Sequence, residues 1–225
     1  MAHKYEQQFL PNQGNINSFH VKTNDVMKRL IRQYQGEFFD ARHAPLITKQ
    51  EVNNIIKKLQ NKKAPGIDTI PNLALKHLPN NYVAELARIY NSCFRNIYFP
   101  SSWKSAIIKP IPKAGNDPWN PGNYRPISLL PCLGKILERL FDRHLQSFLE
   151  TNHVIQNEQF GFRPGHSTTQ QLVRVTENIH QGFEVGGKTA ILLLDIEKAF
   201  DRLWVRGLML KCVSLNMPRW MMLFV

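Results

Sequence analysis

Cysteine is scarce in this sequence, and its arrangement excludes several classes of protein. The three cysteines, Cys93, Cys132 and Cys212, are odd in number and lie far apart. Such a set favours reduced thiols in an intracellular protein over a disulfide framework or a zinc site. The eight histidines add no H-x-x-x-H spacing. A metal centre built on nitrogen or sulfur ligands is therefore not expected.

Acidic residues and long apolar runs are also few. The 17 Asp and Glu residues are outnumbered by 29 Lys and Arg, which leaves a net charge of +12. That excess indicates a polyanionic partner, either nucleic acid or an anionic membrane surface. The membrane is the weaker alternative, because no run reaches the ~18 apolar residues of a spanning helix. The N-terminus has no apolar signal region, so we expect a cytoplasmic and nuclear protein.

The two ends of the chain differ in character. Residues 1–45 are polar and rich in Asn and Gln, with one amphipathic stretch near residues 26–34, and are interpreted as a connector. Folded structure is expected from Thr48 onward, where Thr48 and Glu51 match a capping box. The last six residues, from Trp220, are all apolar. We expect them to be an exposed end that was cut within a core element.

The spacing of apolar residues predicts helices mixed with short strands, which is typical of an α+β chain. Helices are predicted at residues 81–97, at 133–149 and from 167 onward. The third of these begins with a second capping box, Ser167 with Gln170. Strands are predicted at residues 106–111, 127–130 and 190–195.

One apolar run ends on a carboxylate. Residues 190–194 have no polar alternation, which is typical of a strand covered on both faces. Asp195 follows directly and would leave the core at the C-terminal end of the strand, where a carboxylate can hold a metal ion. The alternative is an N-cap aspartate that only closes a core strand.

Loops rich in Gly, Pro and cations place basic groups next to aromatic residues. The first such loop spans residues 61–71, the second 103–115 together with 123–130, and the third 160–169. Each alone is typical of a surface turn. Together they place Lys113, Arg125 and Arg163 on constrained segments, where cationic groups can meet phosphate oxygens. For Lys62 and Lys63, a solvated surface and a phosphate-facing patch both remain open.

Four segments occur in a recognisable order. They read Asn61-Lys62-Lys63-Ala64-Pro65-Gly66-Ile67-Asp68, Tyr124-Arg125-Pro126-Ile127-Ser128-Leu129-Leu130, Phe160-Gly161-Phe162-Arg163-Pro164-Gly165-His166-Ser167-Thr168 and Leu194-Asp195-Ile196-Glu197-Lys198-Ala199-Phe200-Asp201-Arg202-Leu203-Trp204. In this order they resemble the reverse transcriptase of non-LTR, LINE-type retrotransposons, most of all the jockey-like group of arthropods. The resemblance covers residues 46–225.

The resemblance implies a right-hand polymerase that copies RNA into DNA. Residues 46–180 would form the fingers and residues 181–225 the start of the palm. The partners would be an RNA template, a DNA primer and deoxynucleoside triphosphates. The matching aspartate of the family, here Asp195, ligates both catalytic Mg²⁺ ions, and the next backbone carbonyl, here Ile196, helps to hold one of them. Two such ions stabilise the attacking and leaving oxygens of in-line nucleotidyl transfer.

The same resemblance assigns nucleotide contacts to further residues. Phe200 takes the position of the family's steric gate, which rejects a 2′-hydroxyl, although ordinary aromatic packing is an alternative. Arg125 would contact the incoming triphosphate. Lys113 or Lys109 would assist it, and the sequence does not decide between them.

Two residues of the third loop match positions that would contact a nucleic-acid strand. These are Arg163 and Phe162, although a buried aromatic beside a solvated arginine explains them equally well. Lys198 and Asp201 also match the family motif. Asp201 could cap the following helix or hold Arg202 without touching metal.

The sequence departs from the family at the metal site. The family completes that site with an aromatic-x-Asp-Asp hairpin, and none of the seven aspartates here is adjacent to another. The thumb and the rest of the palm are missing as well, so the sequence looks like a fragment. Asp195 alone would hold metal weakly, and we expect no polymerisation by this chain alone. The alternative is a non-catalytic basic module that binds RNA or DNA in a salt-dependent way.

Overall fold

The computed structural model describes residues 17–36, 44–196, 199–200 and 202–224, which form two compact units. The first unit contains the described residues up to Gln146 and those from Arg202 onward, and the second contains Ser147–Phe200. The helices and strands in chain order are α1 (Ser18–Gly36), α2 (Lys49–Lys57), α3 (Asn72–Lys76), α4 (Asn80–Arg95), α5 (Ser101–Lys104), β1 (Ile107–Pro112), β2 (Tyr124–Leu129), α6 (Cys132–Thr151), α7 (Thr168–Glu184), α8 (Val205–Ser214) and α9 (Arg219–Phe224).

Helix α2 begins at a complete capping box, as predicted. The Glu51 backbone N–H donates to the Thr48 hydroxyl (3.2 Å), and the Thr48 N–H donates to the Glu51 carboxylate (2.8 Å). Burial by itself would raise the pKa of Glu51, but the Thr48 hydrogen bonds and the positive charge of Arg143 and His144 lower it. The Arg143 guanidinium lies 3.2 Å from this carboxylate, so the ion pair ties α2 to α6.

The core of the first unit is built on α2, α4 and α6. Apolar side chains on all three helices are buried: Val52, Ile55, Ile56, Val83, Tyr90, Phe94, Ile136, Leu137 and Leu140. The Tyr90 hydroxyl donates to the Leu133 carbonyl at 3.1 Å. The Asn91 amide accepts from the Ile47 N–H (2.8 Å) and donates to the Ile47 carbonyl (2.7 Å). These bonds pair polar groups that burial would otherwise leave unsatisfied.

The apolar C-terminal residues are packed, so the expectation that they are exposed is wrong. Trp220, Met221 and Met222 in α9 are buried. The Phe224 ring stacks on Phe94 of α4 and on Phe141 of α6, with centroid separations of 4.8 and 5.2 Å. Apolarity along a chain does not show which distant helices are available to cover it, and here α4 and α6 do so.

A helix lies within the region interpreted as a connector. Met27 of α1 is buried, and α1 packs against α8. The Trp204 ring, just before α8, lies 4.4 Å from the His20 ring and 5.9 Å from the Phe19 ring between centroids. The expectation that folded structure begins at Thr48 is therefore wrong, because the cover for α1 comes from residues far along the chain. The domain boundary at residue 45 stays a prediction.

The strand predicted before Asp195 is absent. Residues 187–196 form no ladder with any described residue, and Leu192, Leu193 and Leu194 are 81%, 87% and 85% exposed. A strand without polar alternation needs backbone partners and apolar cover on both faces, and the described residues supply neither. The prediction of a buried strand is wrong for this chain, and so is the alternative that Asp195 closes such a strand.

The other elements follow the sequence pattern. The helix predicted at 81–97 is α4, the one at 133–149 is α6, and the second capping box opens α7. Strands β1 and β2 match the predictions at 106–111 and 127–130, with β2 beginning earlier, at Tyr124. The chain is therefore a mixed helix and strand fold, as expected. None of the described helices has the length and apolarity needed to cross a membrane.

In the second unit, α7 holds the loop that precedes it. The Arg174 guanidinium lies over the Phe160 ring, 5.2 Å from its centroid. The same guanidinium lies 3.7 Å from the Glu158 carboxylate. A cation–π contact and an ion pair from one side chain thus fix the loop that carries Phe162 and Arg163.

Two aromatic residues of α4 provide a matched test of the core. Phe94 is 0% exposed and Tyr82 is 56% exposed. We expect Phe94→Ala to lower the free energy of unfolding by about 3–5 kcal/mol, because it leaves a cavity beside Trp220 and Phe224. Tyr82→Ala should change it by less than about 0.5 kcal/mol. Urea denaturation measures both, and equal losses would contradict this packing.

Candidate nucleotide and nucleic-acid interface

Strands β1 and β2 form an antiparallel hairpin that carries predicted nucleotide contacts. The register pairs Lys109 with Ile127 and Ile111 with Arg125. Opposed residues of an antiparallel pair project from the same face, so Lys109 and Arg125 are diagonal neighbours on one face, roughly 7–8 Å apart. Both side chains are exposed. The structure therefore brings two predicted cationic contacts together.

Two prolines face each other in the middle of the hairpin. Pro110 lies opposite Pro126 in the register. Neither residue has a backbone N–H to donate, and proline within a strand also blocks pairing with further strands. The prolines thus favour a ribbon of two strands, and Lys109 and Arg125 on its face are exposed.

Lys113 has a different environment from Lys109. Its backbone N–H donates to the Asn123 carbonyl at 2.7 Å, and its ammonium donates to the Gly122 carbonyl at 3.1 Å. The side chain is half-buried. Lys113 therefore closes the loop that joins the two strands, whereas the exposed Lys109 is open to a ligand. The sequence left open which of the two lysines assists Arg125, and these contacts favour Lys109.

The loop that carries Lys62 and Lys63 is held in place from both sides. A Cβ added to Gly66 would lie 2.3 Å from the Pro131 nitrogen and 2.5 Å from the Leu130 carbonyl carbon, so only glycine permits this approach to the end of β2. The buried Asn72 amide donates to the Gln60 carbonyl at 2.8 Å and closes the loop. Both lysines are exposed. Sequence reasoning missed Asn72, because no local pattern marks a bond that spans the loop.

Phe162 and Phe200 meet in the second unit. Their rings are 5.8 Å apart between centroids and nearly perpendicular, at 86°. Phe162 is 91% exposed and Phe200 is 79% exposed. The structure thus brings together the predicted strand contact and the predicted steric gate. The alternative of a buried aromatic at Phe162 is wrong.

Arg163 is anchored to the loop that precedes it. Its guanidinium donates to the Gln156 carbonyl at 3.1 Å, and the side chain is half-buried. Arg163 also lines a cleft of about 540 Å³, whose other walls are Val154, Ile155, Gln156, Glu158, Gln159, Gly161 and Phe162. One bond positions the guanidinium and leaves further N–H donors for a ligand.

Asp195 and Ile196 are both exposed, and Ile196 is 73% exposed. A carboxylate and a backbone carbonyl are oxygen donors of the kind that Mg²⁺ prefers. Within the described part of the chain, however, no three His, Cys, Asp or Glu side chains lie close enough together to hold a metal ion. Lys198 and Asp201 lie outside the described residues. The described residues alone do not fit a site for two Mg²⁺ ions.

The predicted site residues are divided between the two units. The first unit holds Lys62, Lys63, Lys109, Lys113 and Arg125, and the second holds Phe162, Arg163, Asp195, Ile196 and Phe200. The first set lies on the hairpin and on the loop held by Gly66 and Asn72, and all of its members except Lys113 are exposed. The second presents an aromatic pair, an anchored guanidinium and one exposed carboxylate.

Comparison with known proteins gives a consistent answer. A family model described as Reverse transcriptase (RNA-dependent DNA polymerase) matches residues 111–224. A probable RNA-directed DNA polymerase from transposon BS of Drosophila melanogaster is 40% identical over 191 residues, which is 81% of this chain and 21% of that protein.

Two further relatives from Drosophila melanogaster are similar over comparable lengths. A probable RNA-directed DNA polymerase from transposon X-element is 43% identical over 161 residues, 72% of this chain and 18% of that protein. The RNA-directed DNA polymerase from mobile element jockey is 37% identical over 218 residues, 97% of this chain and 23% of that protein. The chain spans about a fifth of the length of these curated relatives.

The close approach of Gly66 to Leu130 and Pro131 can be tested by substitution. We expect Gly66→Ala to destabilise the chain by roughly 1–3 kcal/mol, because the new methyl group meets backbone atoms that cannot move aside. Gly161→Ala is the matched control, since its nearest neighbour would be the Gln159 side-chain nitrogen at 3.7 Å. Chemical denaturation measures both variants. A neutral Gly66→Ala would contradict the close approach to Leu130 and Pro131.

Proposed function

This chain belongs to the reverse transcriptase family, and from that premise we propose that it supplies part of the RNA-directed DNA polymerase of a non-LTR retrotransposon. The observation that carries the proposal is the family match over residues 111–224, which includes both Arg125 and Asp195. In the proposed enzyme, residues 46–180 belong to the fingers and residues 181–225 to the start of the palm of a right hand. The proposed setting is the cytoplasm and nucleus.

The proposed role of the hairpin is to bind the incoming deoxynucleoside triphosphate. Arg125 and Lys109 project from one exposed face, and a guanidinium with a nearby ammonium suits the oxygens of a triphosphate. Lys113 stabilises the loop of the hairpin through the hydrogen bond from its ammonium to the Gly122 carbonyl. Lys62 and Lys63 are proposed to contact the backbone of the RNA template or DNA primer.

In the second unit, Asp195 is the proposed catalytic carboxylate and Phe200 the proposed steric gate. Phe162 lies against Phe200 and can fix the orientation of its ring. Arg163 is the proposed contact to a nucleic-acid strand. Two Mg²⁺ ions are the cofactor of the whole enzyme in this proposal, and their site needs carboxylates beyond Asp195. We therefore expect the chain alone to bind nucleic acid without extending a primer.

A second candidate is a non-catalytic basic module that binds nucleic acid. The observation that favours it is the contrast between the open cationic hairpin and Asp195, which forms no group that could hold a metal ion with other described His, Cys, Asp or Glu side chains. With a net charge of +12, such a module would bind RNA or DNA in a salt-dependent and sequence-tolerant way. It would bind nucleic acid both alone and within a larger polymerase, and it would support primer extension in neither case.

A chimera separates the two candidates. The aligned segment of the mobile element jockey polymerase is replaced by this chain, and primer extension on an RNA template is measured. We expect extension that Asp195→Ala lowers by at least about 10³-fold, because a metal-bridging carboxylate is removed. Asp142→Ala is the matched control, since Asp142 is exposed on α6 and should leave extension unchanged. Equal activity of both variants would contradict the role of Asp195.

The same chimera tests the steric gate. Phe200→Val shortens the side chain that is proposed to press on the sugar, so incorporation of ribonucleotides should rise roughly 10-fold or more relative to deoxynucleotides. Phe183→Val is the control, because Phe183 is an exposed phenylalanine on α7. The ratio of the two incorporation rates is the measurement. An unchanged ratio in Phe200→Val would show that Phe200 only packs against Phe162.

A further inference from the structure

The loop between β1 and β2 presents a tryptophan almost fully to solvent. Trp119 is 90% exposed. Tryptophan is normally well buried, and exposed positions are common mainly where the ring serves recognition. No described residue makes a ring contact with Trp119, although the other three tryptophans all have such contacts. The exposure of this ring therefore has no structural explanation within the described part of the chain.

The backbone around Trp119 is nevertheless held firmly. The Trp119 N–H donates to the Asp117 carboxylate at 3.0 Å. The Tyr124 hydroxyl donates to the Pro118 carbonyl, and the Asn123 amide donates to the Asp117 carbonyl, both at 2.9 Å. A ring on a preorganised loop loses less conformational entropy on binding than a ring on a loose one. The loop thus offers Trp119 as a ready contact.

The hairpin beneath this loop is strongly cationic. Residues 107–129 carry three cations, Lys109, Lys113 and Arg125, and one carboxylate, Asp117. Asp117 is itself engaged by the Trp119 N–H. An exposed aromatic ring joined to a cationic ribbon is the combination that binds single-stranded nucleic acid, in which bases stack on the ring and phosphates meet the cations.

We propose that Trp119 stacks on an unpaired nucleobase of a nucleic-acid strand that lies along the β1–β2 hairpin when no triphosphate occupies it. The proposal rests on the proposed polynucleotide function and adds a base-stacking residue to it. Stacking is indifferent to the sugar, so RNA and DNA strands are both ligands, and every base has a π-face to offer. A nucleic-acid strand supplies both a base for the ring and phosphates for the cations.

The test uses the full 225-residue chain and fluorescence anisotropy. The probes are labelled single strands of about 12 nucleotides, within the usual site size of such proteins: an RNA, a DNA and a DNA of the same length with abasic positions. We expect Trp119→Ala to weaken binding of the base-bearing RNA and DNA roughly 10-fold and to leave the abasic strand unaffected. Trp119→Phe should stay within about threefold of the parent chain, because it keeps an aromatic ring.

Two controls separate stacking from charge. Tyr82→Ala removes another exposed aromatic of the first unit and should not change binding. Lys109→Ala should weaken binding to all three probes and reduce the slope of log K against log salt by about one, whereas Trp119→Ala should leave that slope unchanged. These different signatures show whether the ring or the charge was removed.

Three outcomes overturn the proposal, and they are distinguishable. Unchanged binding of the base-bearing strands by Trp119→Ala would mean that Trp119 serves a different ligand, while the polymerase proposal stands. An equal loss on the abasic strand would mean that the ring does not act through bases. If the parent chain binds no nucleic acid at low salt, the proposed function fails, and the role of Trp119 fails with it.

Discussion

The hydrogen bond from the buried Tyr90 of α4 to Leu133 of α6 is the interaction on which the first unit depends. Tyr90 and Phe94 of α4 are fully buried, and the Tyr90 hydroxyl holds the Leu133 carbonyl in the first turn of α6. This fixes the chain at Leu130–Pro131, where two basic elements converge: β2 ends there, and the Gly66 loop rests against its backbone. The position of the proposed phosphate-binding cations therefore follows from this one hydrogen bond and one close backbone approach.

The two units differ in how completely their site residues are prepared. Exposed cations of the hairpin sit on a hydrogen-bonded ribbon, and like charges held on a rigid frame form a site for a polyanion before it arrives. The run that leads to Asp195 has no such frame, since Leu192–Leu194 are exposed and form no ladder with described residues. A lone exposed carboxylate attracts a divalent ion weakly. The hairpin is therefore prepared to bind a polyanion, whereas the run before Asp195 is not prepared to hold the metal ions of the proposed reaction.

The sequence predicted local features well and long-range ones poorly. Both capping boxes, Thr48–Glu51 and Ser167–Gln170, depend on residues three apart, and both form. Sequence reasoning missed two contacts between residues that are distant in the chain. One is the hydrogen bond from Asn72 to Gln60, and the other is the stacking of Phe94 on Phe224 of α9. The strand before Asp195 was predicted wrongly for the same reason, because a strand is defined by its neighbours. Family motifs identified the candidate site residues, whereas their contacts required the structure.

We propose that this chain carries a folded nucleic-acid-binding surface and an incomplete catalytic site. One measurement tests both halves: the 225-residue chain is mixed with a labelled DNA primer on an RNA template, Mg²⁺ and deoxynucleoside triphosphates. Complex formation and primer length are then followed together as salt is raised. We expect a complex that weakens steeply with salt and a primer that never lengthens. Primer extension by this chain, or binding that does not respond to salt, would contradict the proposal.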